Sequence, residues 1–193
     1  MDTIEKLSRL FARFPGIGPR QAKRFVYYLL RDGGGTSREL AYLLSELPKD
    51  VQQCQECFRY HTGRACALCT DEARSRESLL VVAYDADLES VERSHEWHGY
   101  YFVLGGTVPL LEQEPEKKVR LQQLLARVKR DSPKEVVLAF AANTEGDHTV
   151  DYLRQALAET GTKVSTLGRG LSTGSELEYA DSATIRSALE GRR

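Results

Sequence analysis

The first 48 residues alternate apolar and polar side chains at the spacing of three short helices. The first helix is predicted by apolar residues that fall on one helical face: Ile4, Leu7, Leu10, Phe11 and Phe14. Residues 15–19, with a proline at each end, break this helix, and a second helix is predicted at 19–30. Ser37 is the expected N-cap of a third, which should stop before Pro48. Helices this short predict a unit too small to bury a large core of its own.

Beyond residue 77 the pattern changes to short apolar or β-branched runs separated by helical stretches. The runs that predict strands cover residues 78–84, 100–104, 135–141 and 162–167. Helices are predicted at 87–96, 115–130 and 147–160, with a short one from residue 182. This alternation predicts an α/β fold with a largely parallel sheet and flanking helices.

The composition is that of a globular protein, with 41% hydrophobic and 28% charged residues. No apolar run approaches the roughly 20 residues that cross a membrane, and the amphipathic N-terminus lacks a signal-peptide core, so a cytoplasmic location is expected. Because the net charge is −1, nucleic-acid binding would need a local basic patch. Residues 1–31 supply one, with seven Lys or Arg against two acids, a net charge of +5. A solvated helix face is the alternative explanation.

All four cysteines form two C-x-x-C knuckles that are separated by eight residues. Cys54, Cys57, Cys66 and Cys69 offer four thiolates from two tight turns, as tetrahedral zinc requires. Disulfides fit a cytosolic chain poorly, and a redox C-x-x-C needs only one pair, at a helix start after a strand. We predict one structural Zn²⁺ per chain, with no open position for catalysis, and expect His61 to be a loop residue.

The segment FPGIGPRQAKR, residues 14–24, joins a glycine turn to a cationic helix. Gly16 and Gly18 let the backbone approach a ligand without Cβ clashes, and the free amides at the helix start favour a phosphate. Arg20, Lys23 and Arg24 lie one turn further along, within reach of neighbouring phosphates. This pattern is typical of helix-hairpin-helix motifs, which contact the DNA backbone. An ordinary interhelical turn is the alternative; no strand precedes the glycines, which argues against a dinucleotide site.

The order of helical hairpin, cysteine knuckles and α/β sheet resembles the RecR family of bacterial recombination mediators over nearly the whole chain. The matching motifs are the glycine turn, CQEC, CALC, VLGG (103–106), TEGDHT (144–149) and the tail from residue 168. The resemblance implies four regions. These are a helix-hairpin-helix DNA-binding region at 1–53, a C4 zinc finger at 54–69, a Toprim domain at 78–173 and a C-terminal oligomerisation segment at 174–193.

The resemblance also locates the magnesium ligands that catalytic Toprim proteins carry, a Glu after the first strand and a later Asp-x-Asp pair. Here those positions are Ala83, Ala141 and Asn143, so a hard divalent ion loses its charged oxygen ligands. Many RecR-like proteins keep an acid where this chain has Ala83, and the family role of that acid does not carry over. We therefore expect the protein not to be an enzyme.

Four acids remain close to these positions: Asp85, Asp87, Glu145 and Asp147. The last two are expected in the first turn of a helix, where they favour its dipole by about 0.3–1 kcal/mol each. The resemblance implies a second role for all four, as a contact surface for RecO and, in many bacteria, RecF. The two roles are compatible.

The function that the resemblance implies is DNA repair by recombination in the bacterial nucleoid. The protein would bind the DNA backbone and, with RecO and RecF, help load RecA onto single-stranded or gapped DNA coated with SSB. Homodimers or ring-shaped homotetramers, formed through the N-terminal helices and the C-terminal tail, would combine several weak contacts. The loop GRGLSTG (168–174) lacks the ending of a P-loop, so no small-molecule substrate is expected.

Two other functions stay open at this point. One is a magnesium-dependent nuclease or primase-like enzyme that uses Asp85, Asp87, Glu145 and Asp147 as a displaced acid set. The other is a zinc-stapled scaffold with no role on DNA.

Overall fold

The computed structural model describes residues 1–111, 114, 117–171 and 173–192. The chain divides into two compact units, Met1–Gln52 and Gln53–Arg193. Along the part of the chain that is described, no helix is both long and apolar enough to span a membrane.

Three helices make up the first unit: α1 (Thr3–Phe11), α2 (Pro19–Arg31) and α3 (Gly35–Asp50). Asp2 caps α1 by accepting a hydrogen bond from the Glu5 amide, so the helix starts where the apolar stripe starts. α1 and α2 form a hairpin in which the Phe11 and Phe25 rings meet edge to face, with centroids 5.7 Å apart. Ala22 and Val26 are the buried residues of this unit, so its core is small.

The predicted limits of the third helix were wrong. Its N-cap is Gly34, at φ +88°, because the Asp32 carboxylate accepts a hydrogen bond of 2.6 Å from the Thr36 amide and caps the helix before Ser37 is reached. At the other end Pro48 lies inside the last turn of the helix.

The second unit begins with the cysteine knuckles. The division between the units falls within a short strand, β1 (Val51–Gln53), and the second unit continues with the short strand β2 (Tyr60–Thr62) and a one-turn helix, α4 (Ala67–Thr70). The expectation that His61 lies in a loop was wrong, since it is the central residue of β2. Side chains alternate along a strand, so His61 is buried while its two neighbours are exposed.

A four-stranded parallel sheet is the centre of the second unit, as the sequence predicted. Its strands are β3 (Ser75–Val82), β4 (Gly99–Val103), β5 (Glu135–Ala139) and β6 (Lys163–Thr166). The order across the sheet is β4-β3-β5-β6, and all three pairings are parallel. Val82 lies opposite Val103 on one side and Ala139 on the other, so these three strands end at one edge of the sheet.

Helices cover both faces of this sheet and end the chain: α5 (Asp85–Ser94), α6 (Leu121–Asp131), α7 (Thr144–Leu157) and α8 (Ser182–Glu190). The predicted helix at 115–130 is shorter than expected, starting at Leu121; residues 115 and 116 lie outside the described residues.

Successive residues of β3 belong to two separate cores because side chains alternate along a strand. Leu79 and Val81 pack in the larger core with α6 and α7, where Leu124 and Leu153 are fully buried. Leu80 and Val82 face the smaller core, which is covered by Leu88 of α5 and by Trp97, among others. Burial on both faces explains why β3, β4 and β5 are continuous apolar runs in the sequence.

Candidate nucleic-acid interface and metal centre

The turn between α1 and α2 leaves backbone open to the surroundings. Gly16 has φ +74°, which a residue with a side chain rarely adopts, and the Ile17 amide donates to the Phe14 carbonyl over 3.1 Å. Gly18 is the N-cap of α2 and provides no side-chain acceptor for the first amides of the helix. A Cβ at Gly16 or Gly18 would meet no atom within 4 Å, so a ligand has room there.

Three cationic side chains follow this turn on α2. Arg20, Lys23 and Arg24 are all exposed, and none of them pairs with a carboxylate of the described residues. The guanidinium of Arg24 makes a long hydrogen bond of 3.4 Å to the side chain of neighbouring Gln21. Free cations beside open amides form a surface that suits a phosphate.

The four cysteines come together as one cluster. The Cys54 and Cys69 sulfurs are 3.8 Å apart, the Cys57 and Cys66 sulfurs 3.7 Å, and all four lie within 4.8 Å of one another. Four sulfurs bound at about 2.3 Å to one tetrahedral ion would be separated by roughly 3.8 Å, so the geometry fits a metal. These spacings are too long for disulfides, and the thiols are free. The cysteines are therefore positioned to bind a metal ion.

Within the cluster the thiolate, the form that binds a metal, is favoured at Cys69, whereas burial raises the pKa of Cys66. A hydrogen bond from Cys57 lowers the pKa of Cys69 to about 6, and the charge of Arg127 acts in the same direction. The pKa of Cys57 is raised because its thiol donates that hydrogen bond and is buried. The buried His61 of β2 is outside the group of ligating atoms found among the described residues.

Backbone and aromatic contacts attach the cluster to the parallel sheet. The Val103 amide, at the end of β4, donates to the Cys57 carbonyl over 2.8 Å. The next residue, Phe58, has φ +61° and places its ring 5.3 Å from that of Phe102. The cysteine cluster is therefore joined to the core of the second unit.

An ion-pair network makes a second attachment. The Glu56 amide lies 3.4 Å from the Cys54 sulfur, while its carboxylate accepts hydrogen bonds from Arg127, over 2.8 Å, and from Arg130. Both arginines also pair with Asp131. Burial raises the pKa of Asp131, but hydrogen bonds and charges of Arg130 and Arg127 outweigh it and lower the pKa overall.

The acids Asp85 and Asp87 lie in the first turn of α5, directly after β3. Asp85 accepts a hydrogen bond of 2.7 Å from the Tyr60 amide of β2, and Asp87 accepts one of 2.9 Å from the Tyr84 amide. Both carboxylates thus bind backbone amides of their own chain, and Asp87 remains exposed.

The acids Glu145 and Asp147 lie in the first turn of α7, as predicted, beyond the end of β5. Glu145 accepts a hydrogen bond of 2.5 Å from the Thr107 hydroxyl. Asp147 forms an ion pair with Arg169, whose hydrogen bond lowers the pKa of that carboxyl. The structure therefore places all four acids after the carboxyl ends of neighbouring strands, each with a partner inside the chain.

Comparison with known proteins decides the family. The Toprim domain model matches residues 77–168, and the model described as RecR, C-terminal, matches residues 170–193. The recombination protein RecR of Paracoccus denitrificans is 38% identical over 192 residues, covering 100% of this chain and 96% of the relative. The RecR proteins of Bifidobacterium longum and Gloeobacter violaceus are 39% and 40% identical, each over 98% of this chain and 95% and 94% of the relative. The chain belongs to the RecR family. That membership supports a role in recombination and repair.

At the three positions where the resemblance located the magnesium ligands of catalytic Toprim proteins, this chain has Ala83, Ala141 and Asn143. Ala83 follows β3 and is buried. Ala141 lies in the loop after β5 and has no carboxylate. Asn143 uses its side-chain oxygen to cap α7, accepting a hydrogen bond of 2.8 Å from the Gly146 amide. These three positions supply no anionic oxygen for a divalent ion.

Sequence reasoning missed the ion pairs around the cysteine cluster and at Asp147. Glu56 and Arg127 are 71 positions apart, and Asp147 and Arg169 are 22 apart, so no local spacing relates them.

Proposed function

We propose that the protein is a non-catalytic recombination mediator that binds the DNA backbone through the α1–α2 turn and α2. With RecO and, where present, RecF, it helps load RecA onto single-stranded or gapped DNA coated with SSB. The observation that carries this proposal is the exposed set Arg20, Lys23 and Arg24 beside the open glycine turn, a set that pairs with no carboxylate of the described residues. The partner proteins come from the resemblance to the RecR family.

Contacts of this kind favour binding to DNA of any base sequence. Backbone amides and cationic side chains bind phosphates, which every DNA sequence presents alike. A turn with so few cations supports only weak binding, so several copies acting together are part of the proposal.

A non-catalytic role is supported by the four acids near the sheet edge, because each carboxylate already has a partner within the chain. Asp85 and Asp87 bind backbone amides, Glu145 binds Thr107 and Asp147 binds Arg169. A nuclease or primase would need these carboxylates to turn toward one shared metal, and each would first have to give up its partner. We propose instead that this acidic edge of the sheet contacts RecO or RecF.

Zinc is the metal that we propose for the cluster. Cys54, Cys57, Cys66 and Cys69 form an all-sulfur set with tetrahedral spacing, which suits Zn²⁺ and leaves no position for water or substrate. The ion would stabilise the knuckles and, through the Cys57 carbonyl and Glu56, their attachment to β4 and α6.

Self-association is supported by the apolar surface of the first unit. α1 and α3 have no buried residue among those described, and Leu40, Leu43, Leu44 and Leu47 lie exposed at helical spacing on α3. Beside them a groove of about 710 Å³ is lined by residues such as Leu10, Phe14 and Leu44. We propose that a second copy of the chain covers this surface, as in a homodimer or homotetramer.

The experiment that tests DNA binding replaces two cations of α2. In Arg20→Ala plus Arg24→Ala, we expect weaker binding and a log K against log salt slope that is shallower by up to about 1.8 on duplex DNA, since each lost phosphate contact removes about 0.9. Fluorescence anisotropy over a salt series measures both quantities.

The matched control is Arg9→Ala plus Lys49→Ala, which removes the same charge from side chains that pair with Glu5 and Glu46. We expect the control to bind DNA nearly as the unmodified protein does. Equal affinity and slope in the two double variants would contradict the proposed interface and favour a scaffold without a DNA role.

A further inference from the structure

The outward face of α2 carries more than the three cations of the proposed interface. Six exposed residues recur at spacings of three and four along the helix: Arg20, Lys23, Arg24, Tyr27, Tyr28 and Arg31. The opposite face holds the buried or half-buried Ala22, Phe25, Val26 and Leu29. No acidic side chain occurs anywhere in α2. This outward face, the Tyr–cation face, carries four cations, no acid and two aromatic rings.

The two tyrosines are exposed, whereas the residue just before them, Val26, is buried. Tyr27 is 45% and Tyr28 55% exposed, whereas Val26 is 2% exposed. Rings of this size contribute most to folding when they are buried, so the fold gains little from these two. Their π faces are available to a ligand.

Each tyrosine has cations within one helical turn on both sides. Lys23 precedes Tyr27 by four residues, and Arg24 precedes Tyr28 by four. Arg31 follows Tyr27 by four residues and Tyr28 by three. The Lys23 ammonium lies 6.0 Å from the centre of the Tyr27 ring. A strand whose phosphates bind these cations would therefore bring its bases to the rings.

A surface that combines a row of cationic side chains with exposed aromatic rings suits single-stranded nucleic acid. Unpaired bases stack on aromatic side chains whatever their sequence, and this stacking adds to the phosphate contacts. Bases inside a duplex already stack on one another and offer no free face. Charge complementarity therefore selects a polyanion, and the rings distinguish a single strand from a duplex.

We propose that Tyr27 and Tyr28 stack on unpaired bases and make the Tyr–cation face selective for single-stranded DNA. This inference rests on the proposed function, which places DNA on α2, and adds the feature of the ligand that the site recognises. Phosphates supply the affinity, and unpaired bases supply the selectivity.

The test separates stacking from charge by using two probes of equal length and charge. One is a thymidine oligonucleotide, and the other is an abasic oligonucleotide with the same phosphates and no bases. We expect the unmodified protein to bind the thymidine probe at least about fivefold more tightly, the lower end of the measured range for stacking one base. Tyr27→Leu plus Tyr28→Leu should bind both probes with the abasic affinity. Tyr27→Phe plus Tyr28→Phe, which keeps the rings, should retain the difference.

Each outcome decides the matter. Equal binding of both probes by the unmodified protein overturns the stacking role and leaves DNA binding by the cations intact. Binding of neither probe at low ionic strength removes the proposed function, and this inference with it. If the leucine variant loses the abasic probe as well and its sedimenting mass changes, the tyrosines serve contacts between copies of the chain, and the inference is wrong.

Discussion

At Gly146 the approach of α7 to the loop after β5 leaves no room for a side chain. A Cβ there would lie 2.0 Å from the Ala141 carbonyl oxygen, which is backbone and cannot rotate away. The motif TEGDHT is conspicuous in the sequence, but the reason for its glycine is a contact between two backbones. At the residue scale, types and spacings predicted the four-cysteine cluster, whereas a close approach such as this one needed the folded chain.

The cysteine cluster gives the prediction at the residue scale. Cys57→Ser removes one of four ligands, and we expect the variant to lose its metal and to melt at a lower temperature, since structural zinc contributes about 10–16 kcal/mol of apparent free energy. Elemental mass spectrometry after dialysis should find one zinc per chain in the unmodified protein and much less in the variant.

His61→Gln is the matched control, because His61 lies in the same module but outside the cluster. It should keep one metal per chain. Full metal content in Cys57→Ser, or loss of metal in His61→Gln, would contradict the assignment of ligands.

At the scale of elements, the hydrophobic pattern predicted which strands exist better than it predicted where helices begin and end. β3, β4 and β5 were foreseen because strands buried on both faces are continuous apolar runs, and β6 was foreseen from its β-branched residues. The start of α3 was not, since Asp32 caps it from outside the predicted helix. Nor could the pattern show that α6 is joined to the cysteine knuckles through Glu56.

That joint can be tested with two neighbouring arginines on α6. Arg127 and Arg130 share the partners Glu56 and Asp131, but Arg127 is 8% exposed and Arg130 56%. Arg127→Met should lower the free energy of unfolding by about 1–3 kcal/mol, because a buried hydrogen-bonded charge is lost. Arg130→Met should cost less than about 1 kcal/mol, as exposed ion pairs do.

Chemical denaturation monitored by the single Trp97 of the same unit measures both variants. Equal losses in the two variants would show that burial of Arg127 does not make it the stronger link between α6 and the knuckles.

For the whole molecule, the exposed apolar surface of the first unit predicts assembly. Leu44→Asp plus Leu47→Asp should lower the mass observed in sedimentation toward that of a single chain, because charge is placed where a second copy would pack. Leu111→Asp, at a position 96% exposed in the second unit, is the control and should leave the mass unchanged.

An unmodified protein that sediments as a single chain would contradict the proposed assembly. So would a double variant with the same mass as the unmodified protein.

The central claim is that an open glycine turn and the cations of α2 bind the sugar-phosphate backbone. The most direct measurement is the affinity of the unmodified protein for single-stranded and duplex DNA as salt is raised. The account predicts binding at low ionic strength, with log K falling linearly against log salt by about 0.9 per phosphate contact on duplex and about 0.7 on single strands. Absence of binding to both DNAs at low ionic strength, or affinity that does not change with salt, would contradict it.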